Sequence, residues 1–229
     1  MAGIAQLPGV EQHMSEYQGI GLTVVPGVVP ADAAGAWLQK CLAVADRHGI
    51  ERHEEVGGVE GQYGPRRMLR YTIVDGEAVR EHWLEMMGLY TGLATVVRLV
   101  TGLPVILSPY GKSAAVAKVY RGAGAEHGWH HDTNVITGLL YLTTHRPDSG
   151  EGATEYIPVA YGTDRSRARE IWPVAGDFLV MRGREVFHRV PPMRSADALR
   201  VTIPLNYYTP TDVWRPPGLD GLHYGVERV

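Results

Sequence analysis

Apolar positions in this chain keep a helical period in the first half and break into short runs in the second. Between residues 31 and 48, Ala34, Trp37, Leu38, Cys41, Leu42 and Ala45 recur at helical spacing and predict an amphipathic helix. Pro30 introduces it and Gly49 ends it. A short strand is expected ahead of that helix at residues 21–25, and another at 67–74. Residues 77–100 read as helical, with a break expected near Gly88 or Gly92. From Pro104 onward, β-favouring runs lie between Gly, Pro and Asp, at residues 105–107, 114–121, 137–142, 154–157, 178–181, 186–190 and 200–208. Many short strands without regular intervening helices predict an antiparallel sandwich or barrel, mainly β, with the earlier helices bracing it from outside.

With 229 residues, 45% of them hydrophobic, the chain can bury a substantial core. A single domain over 1–229 is expected, with helical bracing elements at about 31–100 and a β-rich catalytic core at about 104–208. The net charge of −3 and the lack of long basic runs argue against a nucleic-acid partner, and Arg66, Arg67 and Arg70 form too short a cluster to change that. Cys41 is the sole cysteine, which excludes an intrachain disulfide and a cysteine-rich zinc site and makes it a core residue. No apolar stretch is long enough to span a bilayer, and the N-terminus lacks a basic start followed by a long apolar run. A soluble, cytoplasmic protein without a membrane partner is therefore expected. The Pro/Gly-rich tail, 209–225, reads as a wrapping segment.

Candidate chemistry gathers in His130-His131-Asp132, in His188 of the run Phe187-His188-Arg189-Val190, and in Arg200-Val201-Thr202. Two imidazoles and a carboxylate form a facial ligand set that suits non-haem Fe(II) and leaves coordination positions open. Side chains alternate along extended backbone, so His130 projects with Asp132 while His131 points away. His130 is thus the expected ligand of the pair, and His188 supplies the second imidazole from a distant strand. The same alternation puts Arg200 and Thr202 on one face, where a guanidinium fork and a hydroxyl can grip a carboxylate. A dicarboxylate is then able to chelate a metal at one end and reach Arg200 with the other.

This order of residues resembles the Fe(II)/2-oxoglutarate-dependent oxygenase superfamily: His-x-Asp, a distal His, then a basic residue for the 2-oxoglutarate tail. Lys118-Val119-Tyr120-Arg121-Gly122 before the first histidine, Thr137-Gly138-Leu139-Leu140-Tyr141-Leu142 after the aspartate, and Gly150-Glu151-Gly152-Ala153-Thr154 look like its prolyl-4-hydroxylase-like branch. The block runs from about residue 114 to 208. Glu151 interrupts the paired glycines of that branch, arginine stands where lysine is frequent, and Arg-x-Thr resembles other branches. The resemblance implies a double-stranded β-helix, or jelly roll, with Fe(II) on His130, Asp132 and His188. It further implies 2-oxoglutarate on Arg200, helped by Thr202 and Tyr141, with O2 as the second cosubstrate. Tyr120 is a weaker candidate than Tyr141 for that help. The implied reaction converts 2-oxoglutarate to succinate while a substrate is oxidised. Related halogenases commonly keep the carboxylate position small so that chloride can bind, so Asp132 favours hydroxylation; desaturation, cyclisation and epoxidation use the same ligands.

Each residue also has a plainer reading. The plainer reading of Arg200 is a surface or salt-bridged strand arginine, weaker than the cosubstrate role; Tyr141 reads equally as strand packing, and Thr202 as a β-favouring residue. His127 and His131 could orient water or substrate near the iron but read more simply as exposed loop histidines, and Trp129, Arg70 and Lys118 could line a substrate pocket but read more simply as packing or solvated positions. The leading function is an oxygenase hydroxylating a small molecule, such as an amino-acid derivative or specialised metabolite. The alternatives are a protein or peptide side-chain hydroxylase and a cupin-like metal-binding protein without 2-oxoglutarate chemistry. The sequence is silent on oligomeric state.

Overall fold

Residues 7–56, 66–215, 220 and 224 are described by a computed structural model. In chain order they form α1 (Val10–Ile20), β1 (Leu22–Val25), α2 (Ala31–His48), β2 (Ile50–Val56), β3 (Arg67–Val74), α3 (Gly76–His82) and α4 (Leu84–Thr101). There follow β4 (Ile106–Leu107), α5 (Gly111–Ala114), β5 (Ala117–Arg121), β6 (Glu126–His130), β7 (Ile136–Tyr141) and β8 (Thr154–Ile157). The last strands are β9 (Arg169–Ile171), β10 (Phe178–Arg182), β11 (Phe187–Val190) and β12 (Leu199–Tyr208). The strands make one curled antiparallel sheet in the order β1-β10-β7-β12-β5-β3-β6-β11-β8-β9, with β2 added on β3 and β4 on β12. This is a mainly β jelly roll with bracing helices, as the run of short strands predicts.

Alternation along β12 explains how the sheet divides the molecule. Val201, Ile203, Leu205 and Tyr207 join the large apolar cluster shared with α2, α3 and α4. Their neighbours Arg200, Thr202, Pro204 and Asn206 line an internal cavity instead. The same period holds on β5, where Ala117 and Val119 face the helices while Lys118 and Tyr120 face the cavity. The sheet is therefore apolar behind and polar in front.

Several expectations shift by identifiable causes. The helical stretch at 77–100 breaks at Trp83, not at Gly88 or Gly92. Asp75 caps α3 by accepting from the backbone N–H groups of Glu77 and Ala78, and Trp83 leaves helical geometry at φ −145° to bury its indole edge-on against Trp37. Both glycines lie inside α4 in open space. Of the run 114–121, only Ala117–Arg121 is strand, because residues 111–114 close a helical turn. Four elements carry little apolar period and were not expected: α1, which buries only His13 and Tyr17; the largely exposed β2 and β9; and β6, whose buried histidines face the cavity. Cys41 is wholly buried, as expected. The Pro/Gly-rich tail, 209–225, falls partly outside the described residues; within its described part, Trp214 and Tyr224 line the cavity. No helix among the described residues is long and apolar enough to cross a membrane.

Candidate metal centre

β6 and β11 pair so that His130 and His188 are direct cross-strand partners. Asp132 lies just beyond β6, where its backbone N–H donates to Gly183 O at 2.8 Å. One ligand atom from each of His130, Asp132 and His188 falls within 4.8 Å of the others. His130 Nε2 is 3.5 Å from Asp132 Oδ1, and His188 Nε2 is 3.8 Å from Asp132 Oδ2. The adjacent His131 turns toward the Phe187 ring, 4.9 Å between centroids, and stays outside the cluster.

Neighbouring groups fix how these three atoms present themselves. His130 Nδ1 meets Gly128 O at 2.8 Å and His188 Nδ1 meets Val186 O at 3.0 Å. A carbonyl only accepts, so each Nδ1 carries the proton and each Nε2 turns its lone pair toward Asp132. Thr137 Oγ1 donates to Asp132 Oδ2 at 2.5 Å, while Asn134 Nδ2 donates to that hydroxyl at 2.8 Å. Since Thr137 receives its hydrogen bond from Asn134, its own proton is directed at the carboxylate. Burial holds both imidazoles below the ordinary histidine range, keeping them neutral. For Asp132, burial acts in the opposite sense but is outweighed by His188, His130 and Lys118, which hold its carboxyl below the usual range. Two neutral imidazole lone pairs and an ionised carboxylate on one side of a cavity are a donor set that fits a divalent metal.

The cavity, of about 260 Å³, continues from this cluster to Arg200. Arg200 is 1% exposed; its Nε donates to Gly152 O at 3.0 Å and its Nη2 to Thr154 Oγ1 at 2.8 Å. No carboxylate pairs with it among the described residues, although burying a guanidinium without a counter-charge is costly. The Gly152 turn is built for this contact: it has φ +87°, and a Cβ there would fall 2.2 Å from His145 Nδ1. Thr202 lines the cavity beside Arg200. Tyr141 stands one step back, with its hydroxyl 3.1 Å from Thr154 Oγ1 and its ring 5.8 Å from the guanidinium. Tyr120 does reach the cavity, its ring 5.2 Å from the Arg200 guanidinium.

Several lining residues carry no clear sequence signal. Thr137 and Thr154 sit in β-favouring runs where threonine reads as propensity, and Asn134 as a turn residue. Lys118 and His127 have a partner in each other, Lys118 Nζ to His127 Nδ1 at 3.3 Å, and the His127 ring stacks on His130 at 3.7 Å. Burial pushes Lys118 down to about 8. At the mouth, Arg184 donates to Thr133 O and to Asp212 Oδ2 at 2.8 and 2.7 Å, and its guanidinium lies 5.8 Å from the Trp214 ring. Trp129 lines no part of the cavity; it stacks on Phe187 at 5.2 Å, with Arg189 over its ring. Arg70 likewise remains outside the lining.

A family model described as Halogenase D matches residues 6–220. This chain belongs to the Halogenase D family. Among solved structures, it is similar to the epimerase SnoN in complex with Fe3+, α-ketoglutarate and nogalamycin RO. The TM-score is 0.70 at 17% identity, over 96% of this chain and 93% of that one. AviO1 from Streptomyces viridochromogenes Tue57 gives a TM-score of 0.65 at 19% identity, over 93% and 100% of the two chains. A Pseudomonas putida prolyl-4-hydroxylase gives 0.53 at 16% identity, over 87% and 98%. No curated protein matches the sequence. The fold of the Halogenase D member described here is that of the Fe(II)/2-oxoglutarate-dependent oxygenases.

Proposed function

We propose that this protein is an Fe(II)/2-oxoglutarate-dependent oxygenase that hydroxylates a small molecule. The observation that carries the reading is the pairing, within one cavity, of a His130–Asp132–His188 donor cluster with a buried guanidinium, Arg200, that has no protein carboxylate. His130, Asp132 and His188 hold the metal. Arg200 binds the distal carboxylate of 2-oxoglutarate, with Thr202 on the same face. Thr154 orients the guanidinium, and Tyr141 acts through Thr154. When bound, the iron and its cosubstrates supply an oxidant able to replace a substrate C–H hydrogen with hydroxyl, 2-oxoglutarate leaving as succinate and CO2. The protein's part is to keep the ligands deprotonated and aligned.

The small-molecule reading is supported by the size of the cavity, about 260 Å³, that joins the cluster to Arg200 among the described residues. The position of Arg200 weighs against a cupin-like protein without 2-oxoglutarate. The family's description names a halogenase, yet in this chain the carboxylate Asp132 stands with the two imidazoles, taking a position that chloride would need. That ligand count favours oxygen chemistry over halogenation, with hydroxylation the leading outcome. The test is incubation with Fe(II), 2-oxoglutarate, O2, excess chloride and a panel of small metabolites, with succinate and products measured by mass. Substrate-stimulated succinate and a product heavier by one oxygen are expected. A chlorinated product, or succinate formation unchanged in Asp132→Ala, contradicts the assignment.

A further inference from the structure

Behind the sheet, on the side away from the cavity, α4 presents a face that the fold leaves uncovered. Of its 18 residues, Glu85 and Arg98 alone are charged. Met86, Leu93, Ala94, Val96, Val97 and Val100 bury one side of the helix in the large apolar cluster. The other side, made by Leu84, Glu85, Gly88, Thr91, Thr95 and Arg98, is exposed, with Gly92 and Leu99 half-buried beside it. These positions recur every three or four residues and so form one stripe. A helix face turned to water ordinarily carries charged and polar groups along its length, whereas this stripe is uncharged between its two ends. Leu84 is 72% exposed at one end, and Leu103, just past the cap residue Gly102, is 39% exposed at the other.

Packing within one chain does not account for this stripe. A Cβ at Gly88 or at Gly92 meets nothing within 4 Å, so neither glycine is needed inside the fold, although glycine weakens a helix. Val105 O accepts from Arg98 Nε at 3.1 Å and from Nη2 at 2.8 Å, which fixes the guanidinium at the surface with donors to spare. Neither Arg98 nor Glu85 has an ion-pair partner among the described residues. The two charges are also placed symmetrically. Glu85 lies six residues before Thr91, and Arg98 six residues after Gly92. Gly88 lies three before and Thr95 three after the same central pair, and Leu84 and Leu99 stand seven away on either side. A second copy of α4, laid antiparallel about a two-fold axis at Thr91 and Gly92, therefore sets each Glu85 level with the other copy's Arg98. Gly88 comes level with Thr95, where small side chains let the backbones approach, and Leu84 with Leu99. A face complementary to its own reverse fits a second copy of this chain, because a two-fold interface uses the same patch twice.

We propose that this chain forms a two-fold dimer through α4, with the two helices antiparallel, crossing at Thr91 and Gly92 and closed at each end by a Glu85–Arg98 ion pair. The stripe, about 27 Å long and about 10 Å across, offers roughly 300 Å² per copy, less than the about 800 Å² of a standard interface. The dimer is accordingly weak, with a Kd of about 10–100 μM. The terminal ion pairs fix its orientation more than its affinity. The interface lies on the opposite side of the sheet from the cavity, so it stands or falls independently of the oxygenase reading.

Sedimentation velocity of the full chain from about 1 to about 200 μM is expected to show a mass rising toward twice that of the monomer. Thr91→Arg drives a long side chain into the crossing point and is expected to weaken association by about tenfold or more. Glu85→Arg and Arg98→Glu each set like charges opposite one another at both ends, and each alone is expected to stay monomeric over this range. Mixed in equal amounts, the two variants are expected to dimerise within about threefold of the wild type, because every end pair of the mixed dimer is again opposite in charge. Circular dichroism checks that each variant is folded; should Arg98→Glu fail through loss of its bonds to Val105 O, Thr91→Arg and Glu85→Arg decide the matter alone. A wild type that remains monomeric up to about 200 μM overturns the proposal and leaves the face to solvent or to a different protein. A dimer unaffected by either Thr91→Arg or Glu85→Arg overturns it by placing the interface elsewhere. Folded Glu85→Arg and Arg98→Glu proteins whose mixture stays monomeric contradict the antiparallel pairing and overturn it as well.

Discussion

Thr137 acts on the metal cluster without belonging to it. Its hydroxyl is committed to Asp132 Oδ2 by the hydrogen bond it receives from Asn134, so one carboxylate oxygen is fixed before any metal arrives. Thr137→Val keeps the shape and removes that donor. Metal affinity is expected to fall by about 10- to 100-fold, as for other groups that orient ligands, measured by competition with a chelator. An unchanged affinity would mean that backbone geometry alone positions Asp132. Gly152→Ala is expected to weaken 2-oxoglutarate binding through Arg200, because a Cβ at φ +87° collides with His145 and displaces the carbonyl that receives Nε; calorimetry on the metal-loaded protein reads this. At this scale the sequence was informative wherever chemistry restricts residue type: His130 separates from His131 by strand alternation, and Arg200 by its place in a strand. Thr137 and Thr154 escaped because threonine in a strand is ordinary there, whereas Lys118, named as a possible pocket residue but read more simply as packed or solvated, does line the cavity.

The elements were legible where one face is apolar and opaque where both faces are polar. α2 follows its predicted limits because its apolar face packs on the sheet. β2 and β6 have no such pattern: β2 is held by pairing along β3, and β6 turns polar residues into a cavity. The misplaced break in the second helical stretch has an energetic content. Glycine weakens a helix only modestly, whereas a buried indole can dictate where the helix ends. Trp83→Ala is therefore expected to destabilise the protein by about 3–5 kcal/mol, and Gly88→Ala, at an exposed helical position with open space, to stabilise it by about 0.5–1 kcal/mol. Urea unfolding of the two variants checks both signs. A destabilising Gly88→Ala would show that the glycine is required where it stands.

Across the whole molecule, the sheet acts as a wall with an apolar back and an ionisable front, so its stability depends on protonation. His127, His130 and His188 are buried with affinities for protons below the ordinary histidine value of about 6.5. As pH falls through about 6.5 the unfolded chain takes up protons that the folded chain does not, and stability drops, by up to about 1 kcal/mol for each histidine at pH 5.5. Asp132 acts in the same direction but at lower pH: its lowered value contributes stability above about 3.9 that is lost as pH falls further, so the histidines set the sign between pH 7.5 and 5.5. Metal-free protein should have a lower urea midpoint at pH 5.5 than at 7.5; the reverse order would mean that these imidazoles are protonated in the fold. The central claim is that one cavity joins a metal cluster to a carboxylate-binding arginine, and its most direct measurement is anaerobic calorimetric titration of 2-oxoglutarate into the Fe(II)-loaded protein. Binding is expected to require Fe(II), to be lost in Asp132→Ala, and to weaken by about 2–4 kcal/mol in Arg200→Met. Binding that is independent of Fe(II), or equal in the wild type and both variants, would contradict the account.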